Sequence, residues 1–516
     1  MKKNILALAV ILNCTAIFAQ TEFDAQKFVL TDINGTARYM GMAGAFGALG
    51  GDPSAIKDNP AGLGIYRSSE MTGTLNLLMQ NSNATWNGTK TSDNLNNFSF
   101  TNFSYVKSYP TFRSQNSSDG LLNSNWSFSY NRLRDFNRNS TISSGYQNSS
   151  MTDYLAYFTG NIKSADLSSS NDPYNNTSIP WMSELAYQGY LINETVDANG
   201  ISTWSPLLSL NEQVKPTFSI QESGFLDEYS VGWAGNFSNL LYLGANLNLQ
   251  SINYTERSQY SEMFGAGDNQ SMTFDNNIMT NGAGLNVNFG AILRPIDIVR
   301  IGFSVHSPTV FALTDNNYTS LNYYISSSNN GNITTPTGYN SYMLSTPWKF
   351  NASAAVILGQ RGLLSAEYDY NLNSNTTLMD QNGNSQNYAD ENTGIKSVLN
   401  NVRTLKIGGE YKLTDHFSLR AGYANMSAGT NPNSDKLMRY NTTRTDTEYF
   451  INNSTNYLTA GFGYREASWY IDFAYVNKIL DETFYPYNSN SLIYAVNPAN
   501  VKTANNNLVV TLGFKF

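Results

Sequence analysis

Few side chains in this protein are equipped for covalent or metal chemistry. It has two histidines and one cysteine in 516 residues. Cys14 lies in an opening apolar segment that export would remove, which leaves no disulfide, thiolate ligand or cysteine nucleophile. His416 adjoins a two-residue link at 414–415 and reads as a solvated turn residue. His306 shares an alternating face with Gly302 and Ser304 and points inward, where an imidazole could ligate a haem iron. Two separated histidines match no recognised metal spacing. The glycine run at 41–51 follows no strand and lacks the Lys-Ser/Thr of a phosphate loop. No Gly-x-Ser-x-Gly elbow occurs. No catalytic residue, metal or cofactor is expected.

What remains is charge and grease. Glu367, Asp369, Lys406, Glu410, Lys412, Arg420 and Asp472 fall on the inward side of alternating segments. A carboxylate ligand would need a cation, and Arg38 or Arg420 could supply one through charge-assisted hydrogen bonds. The alternative is a balanced internal ion network that steadies the fold. In the stretch 135–225, Tyr154–Phe158 and Trp181–Leu191 place apolar residues at helical spacing. Leu155, Phe158, Trp181, Leu185 and Leu191 either line an external apolar groove or form that stretch's own small core.

The elements that must carry these residues read as strands. Aromatic residues make up 13% and charged residues 14% of the chain, against about 25% charged in a soluble domain. That balance suits a barrel with a lipid-facing belt, a polar lumen and polar loops. A net charge of -8 argues against nucleic acid as a partner. Lys2 and Lys3, the apolar run Ile5–Leu12 and the small Ala19 before Gln20 make residues 1–19 a secretory signal peptide, too short to span a bilayer. No later run is long enough for a membrane helix.

Period-two alternation recurs from Glu70 onward. In 241–249 the odd positions Leu241, Leu243, Ala245, Leu247 and Leu249 are apolar, while Asn246 and Asn248 share the other face. Strands are expected near 70–80, 97–107, 124–134, 226–237, 240–256, 281–295, 298–306, 347–358, 361–370, 402–413, 416–424, 456–465, 468–478 and 507–516. Their number, fourteen, is even, as bacterial barrels have it. A phase change between Phe100 and Phe103 predicts a bulge. Links of about two residues near 238–239, 296–297, 359–360, 414–415 and 466–467 alternate with long polar stretches at 257–280, 307–346, 371–401, 425–455 and 479–506. Short periplasmic turns and long external loops sort in this way, whereas a propeller would show a fixed repeat and a sandwich has no reason to sort its loops.

Before the first strand, residues 34–63 are rich in Gly and Ala without alternation, as befits a plug, taken as 20–69, folded into a confined lumen. Arg38, Gly41-Met42-Ala43-Gly44-Ala45, Gly51-Asp52-Pro53-Ser54-Ala55 and Asn59-Pro60-Ala61-Gly62-Leu63 resemble the long-chain fatty-acid transporter family of outer-membrane proteins, of FadL/TodX type. Ser307-Pro308, Thr346-Pro347-Trp348 and Leu419–Tyr423 add weaker matches. The resemblance implies a fourteen-stranded barrel over 70–516, closed by an N-terminal hatch in which Asn59, Pro60 and Ala61 form the hatch motif. It implies passive uptake of hydrophobic compounds, with capture by external loops, a pocket above the hatch, and lateral release at a kinked third strand. Ser124–Arg134 contains no Gly or Pro to mark that kink. A bacterial outer-membrane location, a monomer, contact with outer-membrane lipid, and recognition of the strand ending in Phe516 by barrel-assembly machinery are expected. A general porin and a surface receptor or adhesin are the competing functions.

Overall fold

Strand alternation in this chain has one outlet, a closed sheet. The computed structural model describes residues 20–112, 118–168, 173–176, 178–265, 270–440 and 442–516. The predicted signal segment 1–19, with Cys14, lies outside them. The barrel strands are β1 (Glu70–Trp86), β2 (Thr89–Pro110), β3 (Leu121–Asp135, continued by Arg138–Ser143), β4 (Val214–Phe237), β5 (Leu241–Phe264), β6 (Ser271–Ile296) and β7 (Val299–His306, continued by Val310–Tyr324). The ring goes on through β8 (Gly338–Ser345, continued by Lys349–Leu358), β9 (Gly362–Asn371), β10 (Val402–Lys412), β11 (Phe417–Met426), β12 (Tyr449–Arg465), β13 (Trp469–Tyr485) and β14 (Ala499–Lys515). Neighbours pair antiparallel, and β1 closes on β14 from Glu70↔Lys515 to Thr85↔Asn500. The result is a closed 14-strand transmembrane barrel, and all the predicted strands lie within it.

The wall sorts its side chains by face. Along β5, Leu243, Leu247 and Leu249 are exposed, while Tyr242, Asn246 and Asn248 are buried in the lumen. The predicted bulge is present: Thr74 pairs with Asn102 and Leu75 with Phe100, so Thr101 is the extra residue.

Several strands run further toward the long-loop end than the sequence suggests. β1 and β2 do not stop at 80 and 97 but meet in a tight Asn87-Gly88 turn, with φ of 46° and 83°. Both residues must be left-handed in such a hairpin, and Asn-Gly is the sequence signal for it. The largest connection shrinks likewise, because β3 continues to Ser143 and β4 begins at Val214.

The N-terminal segment runs inside the ring. Helix α1 (Glu22–Val29) opens with a capping box between Thr21 and Asp24. A helical turn, Ala37–Met40, and two 3₁₀ turns, Pro53–Lys57 and Pro60–Ile65, follow. Nearly every residue from Gln20 to Gly64 is buried or half-buried. At the long-loop end, helices α2 (Met151–Thr159) and α3 (Trp181–Gln188) of the β3–β4 connection lie over the mouth.

Candidate functional site

The site is built where the inner segment meets the wall. Asn59 is its lowest fastening. Its Nδ2 donates to Gly47 O at 2.7 Å and to Ala291 O on β6 at 3.3 Å, while its Oδ1 accepts from Ala61 N at 3.1 Å. The side chain thus caps the Pro60–Ile65 turn and ties it to the wall at once. Two wall glycines make room. A Cβ on Gly244 would stand 2.5 Å from Pro60 C, and one on Gly290 would collide with the Asn59 amide. Wall side chains complete the frame: Asn246 Nδ2 donates to Ile56 O at 2.8 Å and Asn288 Nδ2 to Lys57 O at 3.0 Å.

Ions lock the opposite side. Arg38 donates to Glu410 from Nε at 2.8 Å and from Nη2 at 3.1 Å. Arg420 donates to the same carboxylate at 2.6 Å and to Asp472 at 2.6 Å. Lys406 pairs with Glu367 at 2.7 Å and with Asp369 at 2.8 Å. Glu367 in turn accepts from Gly47 N at 2.6 Å. The structure therefore places Arg38 and Arg420 in one network with Glu410 and Asp472, their guanidiniums already engaged by carboxylates. Lys412, expected on the inward face, stands apart, exposed at the short-turn end of β10. Within the inner segment, burial pushes the Asp52 carboxyl above its ordinary range, against the pull of Arg38.

Directly above lies a cavity of about 110 Å³, lined among others by Tyr39, Asp58, Glu228, His306, Lys349 and Asp369. It is a polar chamber. Lys57 is 3.4 Å from Asp58 and lies 3.9 Å over the Tyr39 ring. His306 donates from Nε2 to Asp58 O at 2.9 Å, so this imidazole is fixed to the inner segment. Lys349 makes no ion pair or side-chain hydrogen bond among the described residues, and it shares the chamber with Glu228 and Asp369. Alternation singled out neither Lys349 nor Glu228. Lys349 follows Thr346-Pro347-Trp348, where β8 is interrupted and the period is lost.

One seam of the wall is incomplete. The β2–β3 ladder runs from Pro110↔Asn123 to Asn102↔Asn131 and stops there. Beyond it β2 pairs only with β1. β3 shifts register between Arg132 and Arg134 and breaks at 136–137, where Phe136 N donates to Gly224 O at 3.0 Å. The kink exists without a Gly or Pro in the strand itself. Its glycine is on the partner: Gly224 of β4, with φ of 115°. Side chains span the seam, with Asn97 Nδ2 donating to Asp135 at 3.2 Å and Thr141 N to Asp93 at 2.6 Å. Behind it a cavity of about 30 Å³ is lined by Asn76, Thr101, Arg132, Asp135 and, on the inner segment, Asp32. Asp32 also lines the chamber above the ion network. The inner segment holds the kink: Asp32 N donates to Leu133 O at 2.9 Å, and Arg134 Nη1 to Lys27 O at 2.8 Å.

The mouth is filled by grease. Leu155, Phe158, Trp181, Leu185 and Leu191 are 0%, 6%, 7%, 0% and 0% exposed. Four of them pack with Trp86, Phe218, Tyr260 and Phe484 of the barrel mouth, and Trp181 stacks edge-on against Tyr174. They form a core beneath the surface and do not line an open groove. An open apolar groove of about 610 Å³ lies elsewhere in the same cap, between Tyr157, Trp204, Leu207, Leu210, Leu492 and Ile493. Glu184 is buried in α3, with one oxygen accepting from Gln188 and the other unpaired. Burial pushes its carboxyl up to about 7.

No protein-family profile matches the chain, and no curated protein matches it by sequence. Solved structures do match by fold. A FadL homologue of Pseudomonas aeruginosa superposes with a TM-score of 0.53 and 14% identity, over 94% of this chain and 99% of that one. The toluene transporter TodX of Pseudomonas putida gives 0.51 and 12%, over 95% and 100%. Fold and N-terminal motifs agree: the chain resembles the FadL/TodX type of hydrophobic-compound transporter and shares its barrel architecture.

Proposed function

We propose that the protein is an outer-membrane channel for passive uptake of hydrophobic small molecules, long-chain fatty acids among them. One observation carries this reading: a polar chamber lies above a filled lumen, and a separate small cavity lies behind the interrupted β2–β3 ladder, with Asp32 of the inner segment lining both. In this reading residues 20–69 are the hatch and the short-turn end is periplasmic. Ligand is captured at the apolar groove of the cap. Its chain is held by burial, about 0.8 kcal/mol per CH₂, and a carboxylate head meets Lys349, the unpaired cation of the chamber. Exit is sideways, between β2 and β3, into the bilayer. No energy-coupling element is invoked, so flow follows the concentration gradient. The barrel acts as a monomer, its assembly guided by the strand that ends at Phe516.

Mass spectrometry of what co-purifies in mild detergent, followed by competition with a fatty-acid series, tests the proposal. Displacement that tightens with chain length supports it. An empty barrel that ignores the series but passes sugars in a swelling assay points instead to a porin. Should monoaromatic compounds compete and fatty acids fail, the channel stands and the substrate class changes.

A further inference from the structure

A second feature lies on the outside of the barrel, away from the β2–β3 seam. On β6 to β10 the outward residues fall into register across the wall. One row reads Ala291, Phe303, Ala352, Tyr368 and Leu405; the next row toward the long-loop end reads Phe289, Val305, Phe350, Tyr370 and Arg403. Small and large side chains alternate along the first row from Ala291 to Tyr368. The alanines are therefore floors between aromatic walls, and the surface is hollowed into an apolar groove of about 760 Å³. One row further toward the membrane centre, Ala354 pairs with Ala366, both exposed, so the floor continues as a shallow track.

The rim of this groove carries a cation. Arg403 is exposed on the outward face, one residue into β10 from its long-loop end. Its guanidinium has no ion pair or hydrogen bond among the described residues, and only its backbone is engaged, with Ser427. An arginine on the lipid face is costly at the midplane and tolerated near the interface, where an anionic headgroup is its natural partner.

We propose that this groove is a specific site for a phosphorylated outer-leaflet glycolipid of lipid A type, one acyl chain lying over Ala352 and Ala354 and the phosphate meeting Arg403. Chain and head are recognised by adjacent rows of one surface. An acyl chain fits the alanine track because the Phe303, Phe350 and Tyr368 rings flank it. The guanidinium fork selects phosphate by paired charge-assisted hydrogen bonds. The site rests on the barrel's standing in an outer membrane, and it is independent of what the lumen carries.

The test uses the full-length barrel in phosphatidylcholine vesicles doped with lipid A, and in parallel with the same glycolipid lacking phosphate. Resistance to unfolding in cold detergent first reports whether the barrel has inserted, which separates failure of the membrane reading from failure of the site. The retained lipid is then counted by mass spectrometry after mild extraction. Ala352→Phe, which fills the track, is expected to lower lipid A retention about tenfold. Arg403→Gln is expected to keep the chain but lose the preference for the phosphorylated lipid. Leu419→Phe, on the outward face of β11, serves as a folded control with retention unchanged. Equal retention by wild type and Ala352→Phe, or equal retention of both lipids by wild type, overturns the proposal. Displacement of lipid A by free fatty acid alone would also overturn it, giving the groove to the transported ligand.

Discussion

At the short-turn end the inner segment is fastened to the wall by ions and directed hydrogen bonds; at the long-loop end the cap helices meet the mouth mainly through apolar side chains, above a second buried ion cluster of Asp24, Lys436, Arg444 and Asp446. Arg38, Glu410, Arg420 and Asp472 form a chain of contacts within 3.1 Å. The cap offers Leu155, Leu185 and Leu191, each fully buried against barrel residues. Directed contacts fix one register and lose much when any member is removed. Apolar contacts are non-directional and lose strength in proportion to the area exposed. The fastenings of the inner segment are therefore more directed than the contacts that seat the cap helices on the mouth.

That contrast can be broken from either end. Deleting 34–64 removes the lower closure altogether. Leakage of small polar solutes through reconstituted barrels should rise by roughly tenfold or more, the difference between a filled and an open lumen; unchanged leakage would mean that the cap alone seals the pore. Glu410→Gln removes the carboxylate shared by Arg38 and Arg420, leaving Arg38 without an ion pair and Arg420 with Asp472 alone among the described residues. A loss of about 3–5 kcal/mol is expected, read as an earlier urea midpoint of the folded barrel. Leu155→Ala should cost about 2–5 kcal/mol, and the loss should be local. Hydrogen exchange would quicken across 151–191 while the wall keeps its protection; a uniform loss would show that cap and wall unfold as one. The smallest effect is graded by pH. The Glu184 carboxyl is raised to about 7 from an ordinary 4.5, so the cap favours its protonated form. Its contribution is complete below about pH 4.5 and is lost as pH rises through 7. Protection factors in the cap, taken relative to the intrinsic exchange rate at each pH, should be lower at pH 8 than at pH 5, and Glu184→Gln should flatten that difference.

The sequence carried the wall almost completely, because alternation and loop sorting are imposed by the two solvents on either side of each strand. The bulge in β2 was legible for the same reason: Phe100 and Phe103 cannot both face outward without an extra residue. The β1–β2 hairpin is named by Asn87-Gly88 but lacks clean alternation: Ala84 and Trp86 are the apolar residues of β1's end, and the opening of β2, Thr89–Asn94, is polar on both faces. The kink in β3 was invisible in its own residues because Gly224, on β4, supplies it. Within the lumen, residue type foretold charge but not partnership. Arg38 and Arg420 have the chemistry to hold a carboxylate, and the structure gives them protein carboxylates. Lys349, beside the break in β8, has no ion pair among the described residues. Leu155 and its companions show helical spacing whether they face solvent or the barrel mouth, and only the packing decides.

The pairing of β1 with β14 also sets an order of events. Glu70 finds its partner in Lys515, so the wall cannot become continuous until the chain between them has been made. Contacts so distant in sequence form late. The segment from Gln20 to Tyr66 is made first and is held by side chains of β5, β6, β9, β10 and β12. Once the first and last strands are paired, it could enter only by threading past the side chains that hold it. A barrel built around its own beginning avoids that passage.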